Sequence, residues 1–510
     1  MWTTSRSPRA RLLAAALVTA AFAACGDNDE HTPSNPDAAV DVDAPPPDID
    51  AAIDAPPPFV FTPPTPRAIA LAPAASDYLL TATAGPNGTI FAAGPVGTVI
   101  GGPRVLTIVK IKADGTLDTT WGGGDGIVTT DLVFVGANQD IKITTQPPTG
   151  KILVQTQVPN ATNPADRDVV ILRLNLDGTV DTTFGGAGTG MKLLDLSTGV
   201  MNGAALVGLD TPRGIVADAT GTIYSFSMAR ATGTVAGGGP RIDTDWTVTK
   251  LSADGVVDGA FAGGTGRFTF NLPNETITEQ ARNITLLPDG NLMIQGYADS
   301  AALGGAHALL VKLTPAGVLV PAFATGGIFH DAVLPLQFEV YHILPDGNSG
   351  FGVTIGYGRA SGTNNDFVSM RLNLTTGVRD ATFGGGANGG GLSIDPSGMD
   401  KSDNGRIIAA LPGGGFVFGG SCGPGNMPVQ DACWVIIESD GTLDTRFGTG
   451  RGMLAFNPAA DGNDAFWGAA VSGGKLFLVG YRGGGALASQ TAANNDDSYV
   501  TVFDLPAPGQ

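Results

Sequence analysis

The chain has 510 residues, of which 47 are acidic and 28 are Lys or Arg, so its formal net charge is −19. This acidic balance excludes nucleic acid as a partner, because phosphate backbones are bound by clustered Lys and Arg. Glycine accounts for 75 residues without a three-residue period, which excludes collagen and favours a fold with many tight turns.

The first 24 residues have the pattern of an export signal. Arg6, Arg9 and Arg11 precede an apolar run over residues 12–24, which is shorter than the roughly 20 residues that span a bilayer. No later run approaches that length, so we expect no transmembrane helix. Cys25 follows the run directly, and this arrangement resembles the signal of bacterial lipoproteins. The resemblance implies that Cys25 is lipidated and becomes the mature N-terminus; the alternative is ordinary secretion with cleavage after Ala23.

Residues 26–58 form a linker that we expect to be disordered. They include nine acidic residues and eight prolines, without any Lys or Arg. Such a segment buries too little apolar surface to fold, and its charge and prolines keep it extended. Together with Cys25 it is predicted to hold a folded domain, residues 59–510, roughly 100 Å from a membrane.

A nine-residue motif recurs six times in the folded part of the chain. Its first copy reads Asp-Gly-Thr-Leu-Asp-Thr-Thr-Trp-Gly, and the turn glycines of successive copies are 63, 77, 62, 60 and 64 residues apart. A period of this length predicts a repeat architecture. The recurring positions are the first Asp (Asp114, Asp177, Asp254, Asp440), the glycine (Gly115, Gly178, Gly255, Gly317, Gly377, Gly441), the second Asp (Asp118, Asp181, Asp258, Asp380, Asp444) and the aromatic (Trp121, Phe184, Phe261, Phe323, Phe383, Phe447).

Each recurring position has a predicted structural role. The aromatic is expected to pack as a wedge between neighbouring sheets, since an aromatic side chain buries roughly 150–250 Å². The alternative is a ring of stacking platforms for sugars. The second Asp is expected to cap the turn by accepting hydrogen bonds from backbone N–H groups. Val320 takes the place of this Asp in the fourth copy.

Each period also contains four short extended segments, most of them apolar or alternating. In the second unit they lie at residues 126–130, 140–144, 151–155 and 169–174, with a tight turn between the second and third. This hairpin occurs seven times, although the motif occurs only six times. Four strands in each of seven units predict an all-β fold, a seven-bladed β-propeller of about 63-residue repeats. Residues 59–73 are predicted to close the ring beside residues 499–503; an open β-solenoid is the alternative.

The motif, together with Pro-Asp-Gly-Asn-Leu-Met-Ile-Gln-Gly at residues 288–296, resembles the delta-60 repeat family of bacterial surface proteins. The resemblance covers residues 74–505, which is essentially the whole folded part. It implies a secreted or lipid-anchored, propeller-like repeat protein and supplies no catalytic residues.

Apart from Cys25, the chain has two cysteines, Cys422 and Cys433, which lie in a single repeat. An exported protein reaches a compartment that permits disulfides, and we expect these two residues to form one. Two cysteines are too few for a structural zinc site without His, and no His lies within fifty residues of them.

Patterns associated with catalysis occur only in unsuitable settings. Residues 419–423 match G-x-S-x-G, but Pro424 follows where a helix is required. Residues 384–389 match G-x-G-x-x-G without the strand-to-helix setting of a dinucleotide loop. His330 and His342, with Asp331 nearby, are the one metal candidate and are interpreted as structural residues. The composition also does not favour the arginine-lined, aromatic-rich pocket of a sialidase propeller, so we predict no catalytic residue, metal or cofactor.

These observations favour a noncatalytic binding or scaffold protein of the cell envelope, most simply a monomer at the outer membrane. Its expected partners are the membrane, through the lipid alone, and a protein or glycan ligand. Residues 228–245 and 420–431 are the expected contact loops, since loops on a rigid frame carry function. The alternative is a secreted hydrolase or lyase that uses the central pocket of the ring, which converging carboxylates would favour.

Overall fold

The repeats fold into seven four-stranded antiparallel sheets, which confirms the predicted seven-bladed β-propeller. This computed structural model describes residues 59–506 except 73–74, 98, 100–101, 136–139, 203–204, 208, 235–238, 240, 273–277, 301–303, 331–336, 360–363, 398–400, 425–429, 448–452, 457–462 and 484–496. The first strand of each sheet lies beside the first strands of the two neighbouring sheets, so the blades form a closed ring around a central channel. No helix among the described residues is long and apolar enough to cross a bilayer.

The strands are numbered in chain order, beginning with β1 (Arg67–Ile69). Blade 1 contains β2 (Thr81–Ala84), β3 (Ile90–Gly97), β4 (Arg104–Ile111) and β5 (Ile127–Phe134), and blade 2 contains β6 (Lys142–Gln146), β7 (Lys151–Pro159), β8 (Arg167–Leu174) and β9 (Met191–Leu194). A separate hairpin follows, made of β10 (Val200–Asn202) and β11 (Ala205–Val207). Blade 3 contains β12 (Thr211–Ala217), β13 (Ile223–Arg230), β14 (Thr244–Leu251) and β15 (Arg267–Phe270).

Blade 4 contains β16 (Thr278–Leu286), β17 (Leu292–Ser300), β18 (Gly305–Leu313) and β19 (Ile328–His330). Blade 5 contains β20 (Gln337–Pro345), β21 (Phe351–Arg359), β22 (Asp366–Asn373) and β23 (Gly391–Ile394), and blade 6 contains β24 (Asn404–Ala410), β25 (Phe416–Pro424), β26 (Gln430–Ile437) and β27 (Met453–Phe456). Blade 7 contains β28 (Ala465–Ser472), β29 (Lys475–Arg482), β30 (Asp497–Asp504) and β1. Short helical turns lie at Pro86–Gly88, Phe261–Gly264 and Phe383–Gly389.

The ring is closed by β1, which precedes blade 1 in the chain but pairs in the sheet of blade 7, as the sequence predicts. β1 pairs antiparallel with β30, with Arg67 opposite Val500. Before β1, the rings of Phe59 and Phe61 lie 5.2 and 5.3 Å from the ring of Phe447, measured between centroids. Blade 7 lacks the motif, so these two residues cover the last motif aromatic in its place. The closed ring pairs an edge that would otherwise be open to other chains.

Each motif joins the third strand of a blade to the fourth, and the first five motifs pack on the motif of the next blade. The six aromatics are at most 2% exposed. The ring of Phe261 lies so close to Gly317 of the next motif that a Cβ there would be 2.7 Å from it. The N–H of Ala262 donates to the carbonyl of Ala316 at 2.9 Å. Equivalent backbone bonds join the other consecutive motifs at Gly122–Asp177, Gly185–Asp254, Ala324–Thr376 and Gly384–Asp440.

The second Asp of the motif caps its turn, and in four of its five copies it pairs with a basic residue on the third strand. Asp118 accepts hydrogen bonds from the N–H and the hydroxyl two residues on, and its carboxylate lies 2.8 Å from Lys110. These hydrogen bonds, that of Lys110 first, lower the pKa of Asp118 to about 2. Where Val320 replaces the Asp, Lys312 pairs instead with Asp289 at 2.7 Å. Pairs equivalent to that of Asp118 are Asp181–Arg173, Asp258–Lys250 and Asp380–Arg371.

The expected disulfide is not formed, because Cys422 and Cys433 are buried free thiols. In the pairing of β25 with β26, Cys422 is opposite Asp431 and Cys433 is opposite Gly420, so the two cysteines are diagonal neighbours. Diagonal positions in a sheet are about 7–8 Å apart, whereas the Cα atoms of a disulfide are usually about 4.4–6.8 Å apart. Burial raises the pKa of both thiols. The prediction of a disulfide is therefore wrong.

Acidic residues near the start of the first strand tie five blades to neighbouring segments, and we call them the latch acids: Asp77, Asp210, Glu279, Asp403 and Asp464. Each accepts a backbone N–H; that of Asp210 comes from Leu196, just after the last strand of the preceding blade, at 2.5 Å. Burial raises the pKa of Asp77 to about 6, that of Asp210 and Glu279 to about 7, and that of Asp403 to about 8. Burial thus shifts these four carboxyls towards the protonated form, compared with an exposed Asp or Glu.

Candidate functional site

The two faces of the ring carry different parts of each repeat. Because the sheets are antiparallel, the connections from second to third strands and the crossovers between blades lie at one face, which we call the crossover face. The motif turns lie at the opposite face. The predicted contact loops, residues 228–245 and 420–431, contain second-to-third strand connections and lie at the crossover face, although residues 235–238, 240 and 425–429 are outside the described residues.

A cavity of about 360 Å³ occupies the central channel. It is lined by the first strands of all seven blades, and its polar lining includes Lys142, Asn283, His342, Arg406 and Trp467. Its volume is suited to a small ligand, since binding pockets are usually about 300–1,000 Å³.

A β-bulge interrupts the first strand of five blades at the same level. The residues that the strand pairing leaves out are Arg213, Arg282, Tyr341, Arg406 and Trp467. A bulge turns a side chain out of the regular alternation and is common beside functional sites. In these strands the residues that line the cavity begin at the bulge or just after it. The five side chains therefore form a layer at the crossover end of the cavity, which we call the bulge layer.

Arg213 is 6% exposed and forms an ion pair with Asp140 of blade 2. The amide of Gln157 donates to the same carboxylate at 2.6 Å, so Asp140 is fully engaged. The Nε of Arg213 is buried and has no hydrogen-bond partner among the described residues. Burial lowers the pKa of Arg213, because little water remains to solvate its charged form.

Arg282 is 8% exposed and lies between two aromatic rings. Its guanidinium carbon is 4.8 Å from the ring centroids of both Tyr297 and Tyr341. Its Nη2 donates to the hydroxyl of Tyr297 at 3.0 Å and to the carboxylate of Glu339 at 3.4 Å. Its Nε is also buried and lacks a partner within the described part of the chain.

Arg406 and Trp467 complete the layer. The guanidinium of Arg406 stacks 4.6 Å from the ring centroid of Trp467, and its Nη1 donates to the hydroxyl of Ser421 at 3.3 Å. The Nε of Arg406 and the indole N–H of Trp467 are both buried without a partner in the residues that the structure describes. Three arginines and one indole thus present buried donors that no acceptor among the described residues satisfies. Such donors are expected to find an acceptor in a ligand or in water.

Lys142 and His342 adjoin this layer inside the cavity. Burial, with the nearby charge of Arg213, lowers the pKa of Lys142 to about 8. Burial, with the charge of Lys142, lowers the pKa of His342 to about 3, so its imidazole is neutral at pH 7. The three arginines and Lys142 face two carboxylates, those of Asp140 and Glu339. In a strongly acidic chain, this local excess of positive charge favours an anionic ligand.

The sequence did not predict three arginines beside the channel: Arg406 lines the cavity itself, and Arg213 and Arg282 lie at the bulges that adjoin it. Arg213, Arg282 and Arg406 belong to three different repeats, so no local pattern joins them. The two histidines considered as metal ligands lie on separate sheets, His330 on the outer strand β19 and His342 on the inner strand β20. Their neighbour at position 331 lies outside the described residues. None of the predicted motif residues lines the cavity, since all belong to the opposite face.

The structure also brings together three acidic residues that the sequence did not single out. Asp168, Asp195 and Asp210 each place a carboxylate oxygen within 4.8 Å of the others. Asp210 already accepts hydrogen bonds from the backbone of Leu196 and the hydroxyl of Ser197, at 2.5 and 2.6 Å. We therefore assign this group to the latch between blades 2 and 3.

Comparison with protein families supports the propeller repeat. The model of a family described as a domain of unknown function (DUF5122) beta-propeller matches residues 85–120 and 165–184. These two segments contain most of the first motif and the second motif up to its aromatic. A search of curated proteins finds no match.

Several solved structures are similar in outline. A protein of unknown function from Dyadobacter fermentans is 11% identical, with coverage of 84% of this chain and 95% of that one and a TM-score of 0.37. The polysaccharide lyase Uly1 is 12% identical, with coverage of 82% and 88% and a TM-score of 0.41. The propeller domain of the Trilobed protease from Pyrococcus furiosus is 7% identical, with coverage of 85% and 97% and a TM-score of 0.40. Scores of this size say nothing about what this chain binds or catalyses.

Proposed function

We propose that this chain is a noncatalytic binding protein of the cell envelope whose bulge layer holds the negative group of a small ligand. The observation that carries the proposal is the set of buried Nε atoms of Arg213, Arg282 and Arg406, which lack partners among the described residues. A buried donor without an acceptor costs about 1–3 kcal/mol. An anion that accepts these hydrogen bonds would remove that cost and offset the excess positive charge.

An acidic sugar of a glycan suits this site better than a protein. The carboxylate of a uronic acid matches the planar donors of arginine, and the cavity has room for a single small residue. The ring of Trp467, which lines the cavity, offers the apolar surface that sugar rings require beside polar groups. A folded protein could enter the channel only with a protruding side chain.

The ionisation of the site supports binding over the hydrolase or lyase that we keep as the alternative. His342 is neutral at pH 7, and burial raises the pKa of Tyr297 and Tyr357 above the usual value for a phenol, which opposes a tyrosinate base. The two carboxylates, Asp140 and Glu339, are each paired with an arginine. A hydrolase that uses two carboxylates as general acid and base would need these two groups free of such pairing.

The location of the protein belongs to the same proposal. Cys25 would carry the lipid that holds a monomer at the outer membrane, and the acidic linker would extend the propeller, residues 59–510, away from it. Cys25 and residues 26–58 lie outside the described residues. The overall negative charge argues against nucleic acid as a partner.

Calorimetry with the mature chain tests the proposal. Glucuronate, sulfate and phosphate should each bind, whereas glucose, which lacks the negative charge, should bind at least tenfold more weakly. Arg282→Gln should abolish glucuronate binding. Arg446→Gln is the matched control, because Arg446 pairs with Asp444 at the opposite face. Failure of all three anions to bind would overturn the proposal, and cleavage of a glucuronate oligosaccharide would establish the enzyme instead.

A further inference from the structure

We infer that Lys142 is a nucleophilic amine that forms an imine with the carbonyl carbon of an anionic ligand, an aldehyde or ketone that also bears a carboxylate. The inference rests on the proposed function, because the bulge layer supplies the positive charge that would hold the carboxylate. It adds to that function a covalent attachment point and narrows the class of ligand.

The position of Lys142 sets it apart from other lysines of the ring. Lys110, Lys151, Lys250, Lys312 and Lys475 each form an ion pair with an Asp. Lys142 instead lines the cavity, and its ammonium group has no hydrogen-bond or ion-pair partner among the described residues. An amine in this position can be reached by a ligand without first breaking a salt bridge.

The groups that face Lys142 come from four blades. They are Asp140 just before β6, Arg213 of β12, Arg282 of β16 and His342 of β20. Asp140 is already paired with Arg213, and His342 is neutral at pH 7, so the net effect of the surroundings on Lys142 is repulsive. Burial adds to this repulsion, and the pKa of Lys142 falls from 10.5 to about 8. About a tenth of the side chains are then neutral at pH 7, which is the state that attacks carbonyl groups.

The proposed step is balanced without an oxidant or a reductant. The lone pair of the neutral amine forms a C–N bond to the carbonyl carbon, and the carbonyl oxygen takes up a proton to give a carbinolamine. That oxygen then leaves as water, which breaks the C–O bond and leaves a C=N double bond. One amine and one carbonyl thus yield one imine and one water. Protonation of the imine keeps a positive charge in the cavity to balance the carboxylate of the ligand.

Reductive trapping tests the inference on the mature wild-type chain. Glyoxylate is the probe, and cyanoborohydride converts its imine into a stable secondary amine that peptide mass spectrometry can locate. Lys142 should be modified at least tenfold faster than the exposed Lys112 at pH 7, because an ordinary lysine has a pKa near 10.4 and is almost wholly protonated there. The ratio of the modification rate of Lys142 to that of Lys112 should fall as the pH rises above about 8. Acetaldehyde, which lacks the carboxylate, should show a smaller preference for Lys142.

A variant of Lys142 and a measurement of sulfate binding distinguish the possible outcomes. Lys142→Arg should lose the rapid adduct, because a protonated guanidinium has no free amine to attack the carbonyl carbon, and sulfate binding is measured by calorimetry on the wild-type chain. Modification of Lys142 at the rate of Lys112 in the wild-type chain would overturn the inference whether or not a variant folds. Sulfate binding without rapid modification would leave the proposed function standing and reject the imine. Rapid modification without sulfate binding would support the reactive amine and reject the anion site.

Discussion

The contact between consecutive motifs can be tested at Gly317, because a Cβ there would lie 2.7 Å from two ring atoms of Phe261. Gly317 has a φ of 78°, a left-handed conformation that costs a residue with a side chain about 1–2 kcal/mol. Crowding a buried aromatic ring adds about 1–3 kcal/mol. We therefore expect Gly317→Ala to lower the free energy of unfolding by about 2–5 kcal/mol.

Gly290→Ala is the matched control for this substitution. Gly290 also has a φ of 78°, but nothing lies within 4 Å of a Cβ built on it. Gly290→Ala should therefore lower the free energy of unfolding only by the cost of the left-handed conformation, about 1–2 kcal/mol. Urea unfolding, followed by tryptophan fluorescence, measures both variants. In a Phe261→Leu background, which removes the ring, the two glycine substitutions should cost nearly the same.

Two results would refute the reasoning. Equal costs for Gly317→Ala and Gly290→Ala in the wild-type background would mean that the ring of Phe261 does not fill the space beside the next motif. A difference that persists unchanged with Phe261→Leu would assign it to some other contact. Either result would contradict the prediction that the motif aromatics pack as wedges between neighbouring sheets.

Three other expectations concern pH, anchoring and thiols. Four latch acids have raised pKa values, so the folded chain binds more protons than the unfolded chain and should lose stability as the pH rises from about 4 to about 8. Loss on the acid side follows the lowered pKa of Asp118 and lies below about pH 4, so thermal unfolding should show a maximum near pH 4, and a rise in stability towards pH 8 would contradict this. Cys25→Ala should move the protein from the membrane pellet to the soluble fraction, and a variant that stays in the pellet would count against the lipid anchor. Cys422 and Cys433 should react with a thiol reagent only after denaturation, and denatured protein without reactive thiols would show that they are joined.

The number of blades and the closure of the ring could be predicted because they depend on local signals. Turn residues such as Asn87, with a φ of 55°, and Gly290 mark each hairpin wherever it occurs, and the recurring motif marks the end of each third strand. One repeat without a motif and one apolar segment before the first repeat were enough to predict the pairing of β1 with β30. Each of these signals is a local pattern that occupies a short stretch of the chain.

The disulfide was predicted wrongly for a reason that is also local. The prediction rested on the exported compartment and on the presence of Cys422 and Cys433 in a single repeat. Whether the two cysteines face each other depends on the register of β25 and β26, which places Cys433 opposite Gly420. A shift of two residues in register decides the outcome, and the loop sequence does not specify it.

The sequence by itself determined the repeat, its turns and its aromatics, because these features satisfy the backbone and bury apolar surface within one or two neighbouring units. Only the tertiary structure decided that Arg213, Arg282 and Arg406 form one layer, since a bulge and the closure of seven blades bring them to the same level of the channel. A bulge displaces a side chain without leaving a recognisable residue pattern. The positive charge of the candidate site is therefore contributed by residues of distant repeats, and no short stretch of the sequence contains them together.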